Sequence, residues 1–373
     1  MSGRRLASVD VFRGVTMAAM VIVNNPGDWA AVYAPLRHAE WHGWTPTDLV
    51  FPFFLFLVGV SITHARTTRA GWLAVGRRGL IILGLGLLLS GFPYYRLETM
   101  RLPGVLQRIA LCYVAAATTV RLVGESRRRV AAVAALSAAV LAGYCALLLL
   151  VPVPGGAAGD LGPGRDLGAW LDRRLLGGHL WRPDWDPEGL LSTAPAVATT
   201  LSGVLAGWWM QARAGEPARL RLGLAVAGAV AIAAGYAWHP WFPINKNLWT
   251  SSYVLFTAGA AAIGLALCHG LVEPHAPIPQ AGGRRYHGAI AEAFVALGRN
   301  AILLFVISGV TARVLGIVRF GEPAVPLKTW IYAGLFAPVA APQVASLLFA
   351  LANLAALWAL LWALHRRGVY LTV

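Results

Sequence analysis

The segment 37–48 reads RHAEWHGWTPTD and carries the residues best suited to chemistry. An imidazole titrates near neutral pH, so His38 can take a proton as a general base. It can also carry a transferred group covalently. His42 follows at the i, i+4 spacing of a metal pair. The glutamate in HAEWH is displaced from its place in H-E-x-x-H, and no metal site is assigned. Asn24 and Asn25 end a helix against Pro26, and Pro46 stands where the next helix begins. Thr45 or Thr47 can cap that helix, and Asp48 falls in its first turn, within plausible reach of His38. Trp29, Trp41 and Trp44 are either an interfacial belt or a platform for a sugar ring.

Four further groups stand out. In RLPGVLQR (101–108), Arg101, Gln107 and Arg108 open an apolar run, with Arg108 about a turn and a half inside it. An arginine at that depth needs an acid or an anion, so these residues form either an internal salt bridge or a clamp on a negative ligand. Asp186 and Glu188 open a later run; a helix N-terminus favours acids with or without another role. Asn245, Lys246 and Asn247 open another, and Lys246 is one of only two lysines. Arg299 and Asn300 lie near the inner end of a ninth run, in its first half. Asp10 and Arg13, at i, i+3, most simply pair with each other.

The elements that must hold these groups are membrane helices. Of the 373 residues, 58% are hydrophobic and 13% charged, against about 25% charged in a soluble protein. Mean hydropathy is +0.63. Disorder is excluded by the apolar content. The net charge of +15 is spread in short groups between apolar runs, which argues against a nucleic-acid face. Spans of roughly 20 apolar residues are expected over 8–25, 47–65, 73–92, 103–123, 128–151, 189–212, 219–239, 247–271, 291–318 and 343–366, about ten in all. The stretch 328–340 is short and reads as a half-helix or re-entrant piece. The runs are long and rich in Leu and Ala, not alternating, which excludes a barrel.

Every second loop is basic: Arg4 and Arg5; Arg66, Arg69, Arg77 and Arg78; Arg127 to Arg129; Arg213, Arg219 and Arg221; Arg284 and Arg285; Arg366 and Arg367. Both termini are therefore expected in the cytoplasm. The first span is interrupted by Asp10 and Arg13 and is followed by no A-x-A site, so it does not read as a signal peptide. Cys112, Cys145 and Cys268 fall inside apolar runs and read as buried small side chains. The Gly- and Pro-rich outer loop 152–188 reads as a cap on a single membrane domain, 1–373.

Five motifs in order, LASVDVFRG, RHAEWHGWTPTDLVFPFFLFLVGVSI, RLPGVLQRIALCY, DPEGLLST and INKNLWTSSYVLFT, resemble the heparan-α-glucosaminide N-acetyltransferase family and its bacterial relatives, from about residue 6 to 310. The resemblance implies an all-α transmembrane acyltransferase fold and transfer of acetyl from cytosolic acetyl-CoA to the amine of a glucosamine across the membrane. It implies His38 as the catalytic histidine and Asn24, or else Asn25, as the asparagine linked to catalysis; Asp48 is expected to orient His38 as an acid partner orients a base. Acetyl-CoA is the co-substrate and no other cofactor is implied. Arg101, Arg108, Arg13, Arg299 and Asn300 are expected toward acetyl-CoA. Asp186, Glu188, Asn245, Lys246, Asn247 and Trp41 are expected toward the amino-sugar acceptor. The animal enzymes carry an additional luminal segment and span before this core, so a short amino sugar or a cell-wall glucosamine is the more natural acceptor here. A homodimer in a bacterial inner membrane is the accompanying expectation. An amino-sugar transporter is the rival class, but no repeat relates the two halves.

Overall fold

The computed structural model describes residues 6–64, 71–273 and 288–370. Arg4, Arg5, Arg66, Arg69, Arg284 and Arg285 of the basic loops lie outside them. The helices are α1 (Ala7–Asn24), α2 (Val50–His64), α3 (Trp72–Gly91), α4 (Val105–Val123), α5 (Arg129–Leu150), α6 (Leu167–Leu176), α7 (Thr193–Ala212), α8 (Pro217–Trp238), α9 (Ser251–Val272), α10 (Ala289–Arg299), α11 (Ala301–Ile317), α12 (Leu327–Ile331) and α13 (Pro342–Arg366). A two-residue hairpin pairs Arg319–Phe320 with Val325–Pro326. The polytopic all-α reading holds, and the chain is an integral membrane protein.

By length and apolarity, eight helices among the described residues qualify as spans, and a bent pair makes nine. Two expectations are corrected. The run 291–318 is not one straight span: it breaks at Asn300 into α10 and α11, bent by 77°. The expected span 189–212 starts only at Thr193, because residues 186–192 are spent in turns. It also falls short of the apolar level of the others. Thr199, Thr200 and Ser202 line α7 and return their hydroxyls to carbonyls four residues back, which is how such groups are tolerated among helices. The stretch 328–340 contains α12 and a π-helical turn, Tyr332–Phe336.

The chain divides into two compact units. One comprises residues 39–44 and 51–267, and so holds α2 to α8 and most of α9. Its tightest crossing is between α2 and α7, where Gly59 and Gly203 bring the backbones together. A Cβ on Gly59 would lie 1.9 Å from the Thr200 carbonyl oxygen, and one on Gly203 1.9 Å from that of Phe56. Close approach through small residues is the main source of packing energy where lipid, not water, is the solvent. A core of Ile62, Tyr113, Ala117, Val133, Leu201 and Trp208 joins these helices to α4 and α5.

The other unit comprises residues 6–38, 45–50 and 268–373. The same device joins α1 to α10: a Cβ on Gly14 or Gly298 would lie 1.9 Å from the carbonyl oxygen of Phe294 or Asp10. Ala7, Val11, Val272 and Val295 pack beside this crossing.

Candidate active site

In the unit built on α1, the segment TPTD (45–48) forms a 3₁₀ turn leading into α2. Pro46 supplies a helix-ready φ at the first position and costs no hydrogen bond there. The Asp48 carboxylate folds back onto this turn. Its Oδ2 accepts the Thr45 backbone N–H at 2.9 Å and the Thr45 hydroxyl at 3.2 Å. Its Oδ1 lies 2.6 Å from Nδ1 of His38. Both threonines also tie the turn to the histidine's own loop. The Thr45 hydroxyl reaches the Arg37 carbonyl at 2.6 Å and that of Thr47 the Pro35 carbonyl at 3.1 Å. Asp48 is 1% exposed and the His38 side chain 48%. A buried carboxylate thus holds one face of a half-exposed imidazole. A neutral ring donates Nδ1–H to Asp48, which places its basic lone pair on Nε2. Such a geometry suits a base and the acid that orients it.

Asn24 is the last residue of α1, and its side chain is exposed. Asn25 is buried, with its amide donating to the Val21 carbonyl at 2.8 Å and to the Ser308 hydroxyl at 3.1 Å. Of the two, Asn24 is the one whose amide stays available to a ligand. Arg13 donates to Asp10 at 2.9 Å and to the Gly298 carbonyl at 3.2 Å. That carbonyl adjoins Arg299, whose guanidinium covers the ring of Tyr370, and buried Asn300 at the bend. Three of the residues expected toward acetyl-CoA are therefore gathered at the α1–α10 crossing.

The unit built on α2 to α9 holds the second cluster. Arg101 grips Asp186 with two parallel bonds of 2.8 and 2.6 Å and also contacts Glu188. The loop 181–188 completes Asp186: the backbone N–H of Trp181 donates to Oδ2 at 2.8 Å and that of Glu188 to Oδ1 at 2.9 Å. Four donors occupy the two oxygens of Asp186. Among the described residues Glu188 is held through one oxygen. Gly189 closes the turn on the Asp186 carbonyl. Behind it, Asp172 of α6 accepts the Leu190 N–H at 2.9 Å, and burial pushes its carboxyl up to about 6.

Arg108 is fully buried. One terminal nitrogen donates to the Gly189 carbonyl at 3.0 Å and to the Ser192 hydroxyl. Its Nε and other terminal nitrogen have no hydrogen-bond partner among the described residues. The guanidinium lies 5.1 Å from the ring centroid of Trp249. Trp249 has a positive φ of 52°, a conformation that costs a bulky side chain about 1–3 kcal/mol. Its buried indole offsets this through a bond to Thr199 and edge contacts with Phe51 and Tyr253.

Asn245 is fully buried. Its Oδ1 accepts the Leu248 N–H at 2.9 Å, and its amide nitrogen lies 3.3 Å from Nδ1 of His42. Partial desolvation, reinforced by His239, shifts the His42 pKa below its ordinary value. Lys246 and Asn247 are half-buried beside it. The indole N–H of Trp41 donates to the Leu161 carbonyl at 2.8 Å, and its ring meets Trp185, which meets Trp181. Sequence reasoning did not single out Asp172, Ser192, Trp181 or Trp185. Ser192 alone left a signal, as part of DPEGLLST.

Residues 5–153, which include the His38–Asp48 pair, match the catalytic region of heparan-alpha-glucosaminide N-acetyltransferase. This chain is a relative of the heparan-alpha-glucosaminide N-acetyltransferases. The human protein of that name is 30% identical over 333 residues, which cover 72% of this chain and 49% of the human one. The mouse protein is 29% identical over 340 residues, covering 73% of this chain and 50% of its own length. The chain thus spans about half the length of these heparan-alpha-glucosaminide N-acetyltransferases.

Proposed function

We propose that this protein is a membrane-bound acetyltransferase that moves the acetyl group of acetyl-CoA onto the amine of a glucosamine-type acceptor. The observation that carries the reading is the His38–Asp48 pair inside the family-matched segment. The amine nitrogen attacks the thioester carbonyl, the C–S bond breaks, and the amine proton passes to Nε2 of His38. The imidazolium then returns that proton to the CoA thiolate. Asp48 keeps the lone pair on Nε2 and stabilises the imidazolium that forms. Asn24 donates its amide N–H to the oxygen that becomes negative in the tetrahedral intermediate.

In a two-step variant, His38 first takes the acetyl group as an acetyl-imidazole and the amine then displaces it. Exchange of labelled CoA into acetyl-CoA without acceptor distinguishes the two: exchange marks the acetyl-imidazole route, and its absence marks direct transfer.

The second cluster serves the acceptor. Asp186 is saturated by Arg101 and two backbone N–H groups, so it is a scaffold. Glu188, tied through one oxygen, is the carboxylate that meets the amine or a sugar hydroxyl. Lys246 and Asn247 offer further contacts, and Trp41 offers a ring face. Arg13, Arg299 and Asn300 serve acetyl-CoA, whose phosphates suit arginine. Buried Arg108 has two nitrogens left for an anionic or carbonyl oxygen of either substrate.

The alternation of basic loops supports cytoplasmic termini on the acetyl-CoA side, with the acceptor on the opposite face of a bacterial inner membrane. A homodimer goes with this reading. The direct test is acetyl-CoA turnover by the purified protein across a panel of amines, beginning with glucosamine. Turnover stimulated by glucosamine and related amino sugars supports the reading. Absence of turnover with every amine, together with no thermal stabilisation by acetyl-CoA, overturns it.

A further inference from the structure

One end of the α2–α9 unit carries a second, chemically different cluster. Four arginines there each lie over an aromatic ring. Arg78 of α3 covers Tyr113 of α4 at 4.8 Å, and Arg121 of α4 covers Trp72 of α3 at 4.7 Å. Arg129 of α5 covers Trp208 of α7 at 4.8 Å, and Arg213 covers Trp209 at 5.1 Å. The four pairs share one neighbourhood because Tyr113, Val133 and Trp208 belong to one core cluster, and α3 packs along α4. Stacking occupies the flat face of a guanidinium and fixes its plane; the edges of Arg129 and Arg213 already meet glutamates, and that of Arg78 is the one directed to phosphate oxygens.

The charge here is lopsided. Residues 71–80, 121–130 and 211–222 hold nine arginines against two glutamates. Glu125 pairs with Arg129, and Glu216 pairs with Arg213 and Arg219. Among the described residues Arg78 has no ion pair with an acid, and its buried Nε has no hydrogen bond.

Immediately next to these arginines stand strongly exposed apolar side chains, among them Leu73 at 86% and Leu122 at 73%. Leu73 and Leu122 belong to membrane spans, where acyl chains meet them beside the arginines. A ligand with a phosphodiester head and hydrocarbon tails covers both. We infer that this end of the α2–α9 unit is a binding site for an anionic phospholipid, with the stacked arginines on the headgroup and the neighbouring apolar side chains on the acyl chains. The inference does not depend on the acetyl-transfer reading.

The test reconstitutes the full protein in nanodiscs of phosphatidylcholine with or without phosphatidylglycerol, and reads lipid retention by native mass spectrometry and Tm. Selective retention of phosphatidylglycerol and a Tm rise of about 3 °C or more are expected. Arg78→Gln combined with Arg129→Gln should lose both, and the corresponding lysine pair should keep part of each. Equal retention of the two lipids with no Tm difference overturns the inference, a measurement that needs only the wild-type protein. A nucleotide control, adenosine 3′,5′-bisphosphate, is added to the same nanodiscs. If it gives the same Tm rise and displaces phosphatidylglycerol, the arginines serve a soluble phosphate and the lipid site is refuted.

Discussion

Nδ1 of His38 lies 2.6 Å from Oδ1 of Asp48, across a ten-residue loop that the two threonines of TPTD tie shut. The carboxylate is spent on holding the ring and on capping its own turn. In the proposed mechanism its role is tautomer and orientation, not proton removal. Asp48→Asn keeps the shape but offers the ring an amide in place of a charge. Turnover should fall by about 10²-fold or more, with acetyl-CoA affinity within about twofold. Steady-state kinetics with a parallel binding titration check this; an unchanged kcat would remove Asp48 from the mechanism.

Asn24 and Asn25 separate cleanly by environment. Asn24→Ala should lower kcat by about 10- to 100-fold with little change in thermal stability. Asn25→Ala should act the other way: loss of its buried bonds to Val21 and Ser308 costs about 1–3 kcal/mol of stability. Differential scanning fluorimetry beside the activity assay shows whether the two effects divide in this way or swap.

Glu188 and Asp186 differ in how many of their acceptor positions are occupied. Glu188→Gln should raise the acceptor KM by about tenfold while leaving Tm close to wild type. Asp186→Asn loses the charge opposite Arg101 in a buried turn and should destabilise by about 3 kcal/mol or more. Equal acceptor KM values for Glu188→Gln and wild type would show that the amino sugar sits elsewhere.

Much of this arrangement was legible in the sequence, and the part that was not has a physical reason. His38, Asp48 and Asn24 stand close together in the chain, on a loop framed by prolines, so turn chemistry alone brought the histidine and the aspartate together. Depth in the run called for an acid or an anion at Arg108, yet the two acids bond Arg101 at the start of the run, and Arg108 donates to the Gly189 carbonyl and the Ser192 hydroxyl. Which acid is saturated could not be read, because that depends on backbone N–H groups of Trp181 and Glu188 that have no sequence signature. The break at Asn300 was hidden for a similar reason: Arg299-Asn300 is polar, but the apolar run continues on both sides, and hydropathy does not register a 77° bend. The shortfall of α7 follows from its hydroxyls, which are tolerated because helix carbonyls accept them.

Asp172 makes a pH prediction. Burial raises its carboxyl to about 6 from an ordinary value near 4, so the folded protein holds that proton more tightly than the unfolded chain. Stability from this group is therefore fully present below about pH 4. It is lost as pH rises from about 4 to 6 and stays lost at neutral pH, by about 3 kcal/mol at most. Asp172→Asn retains an acceptor for the Leu190 N–H without the charge. It should raise Tm at pH 7 and flatten the slope between pH 4 and 6. A Tm that falls in the variant at pH 7 would show that the ionised carboxylate is a net stabiliser.

The most direct measurement is acetyl transfer to glucosamine by His38→Ala, made alongside equilibrium binding of acetyl-CoA to the same protein. Loss of transfer to background with acetyl-CoA affinity within about twofold of wild type is the result expected if His38 is the base. Full transfer by His38→Ala, in protein that binds acetyl-CoA normally, would contradict it.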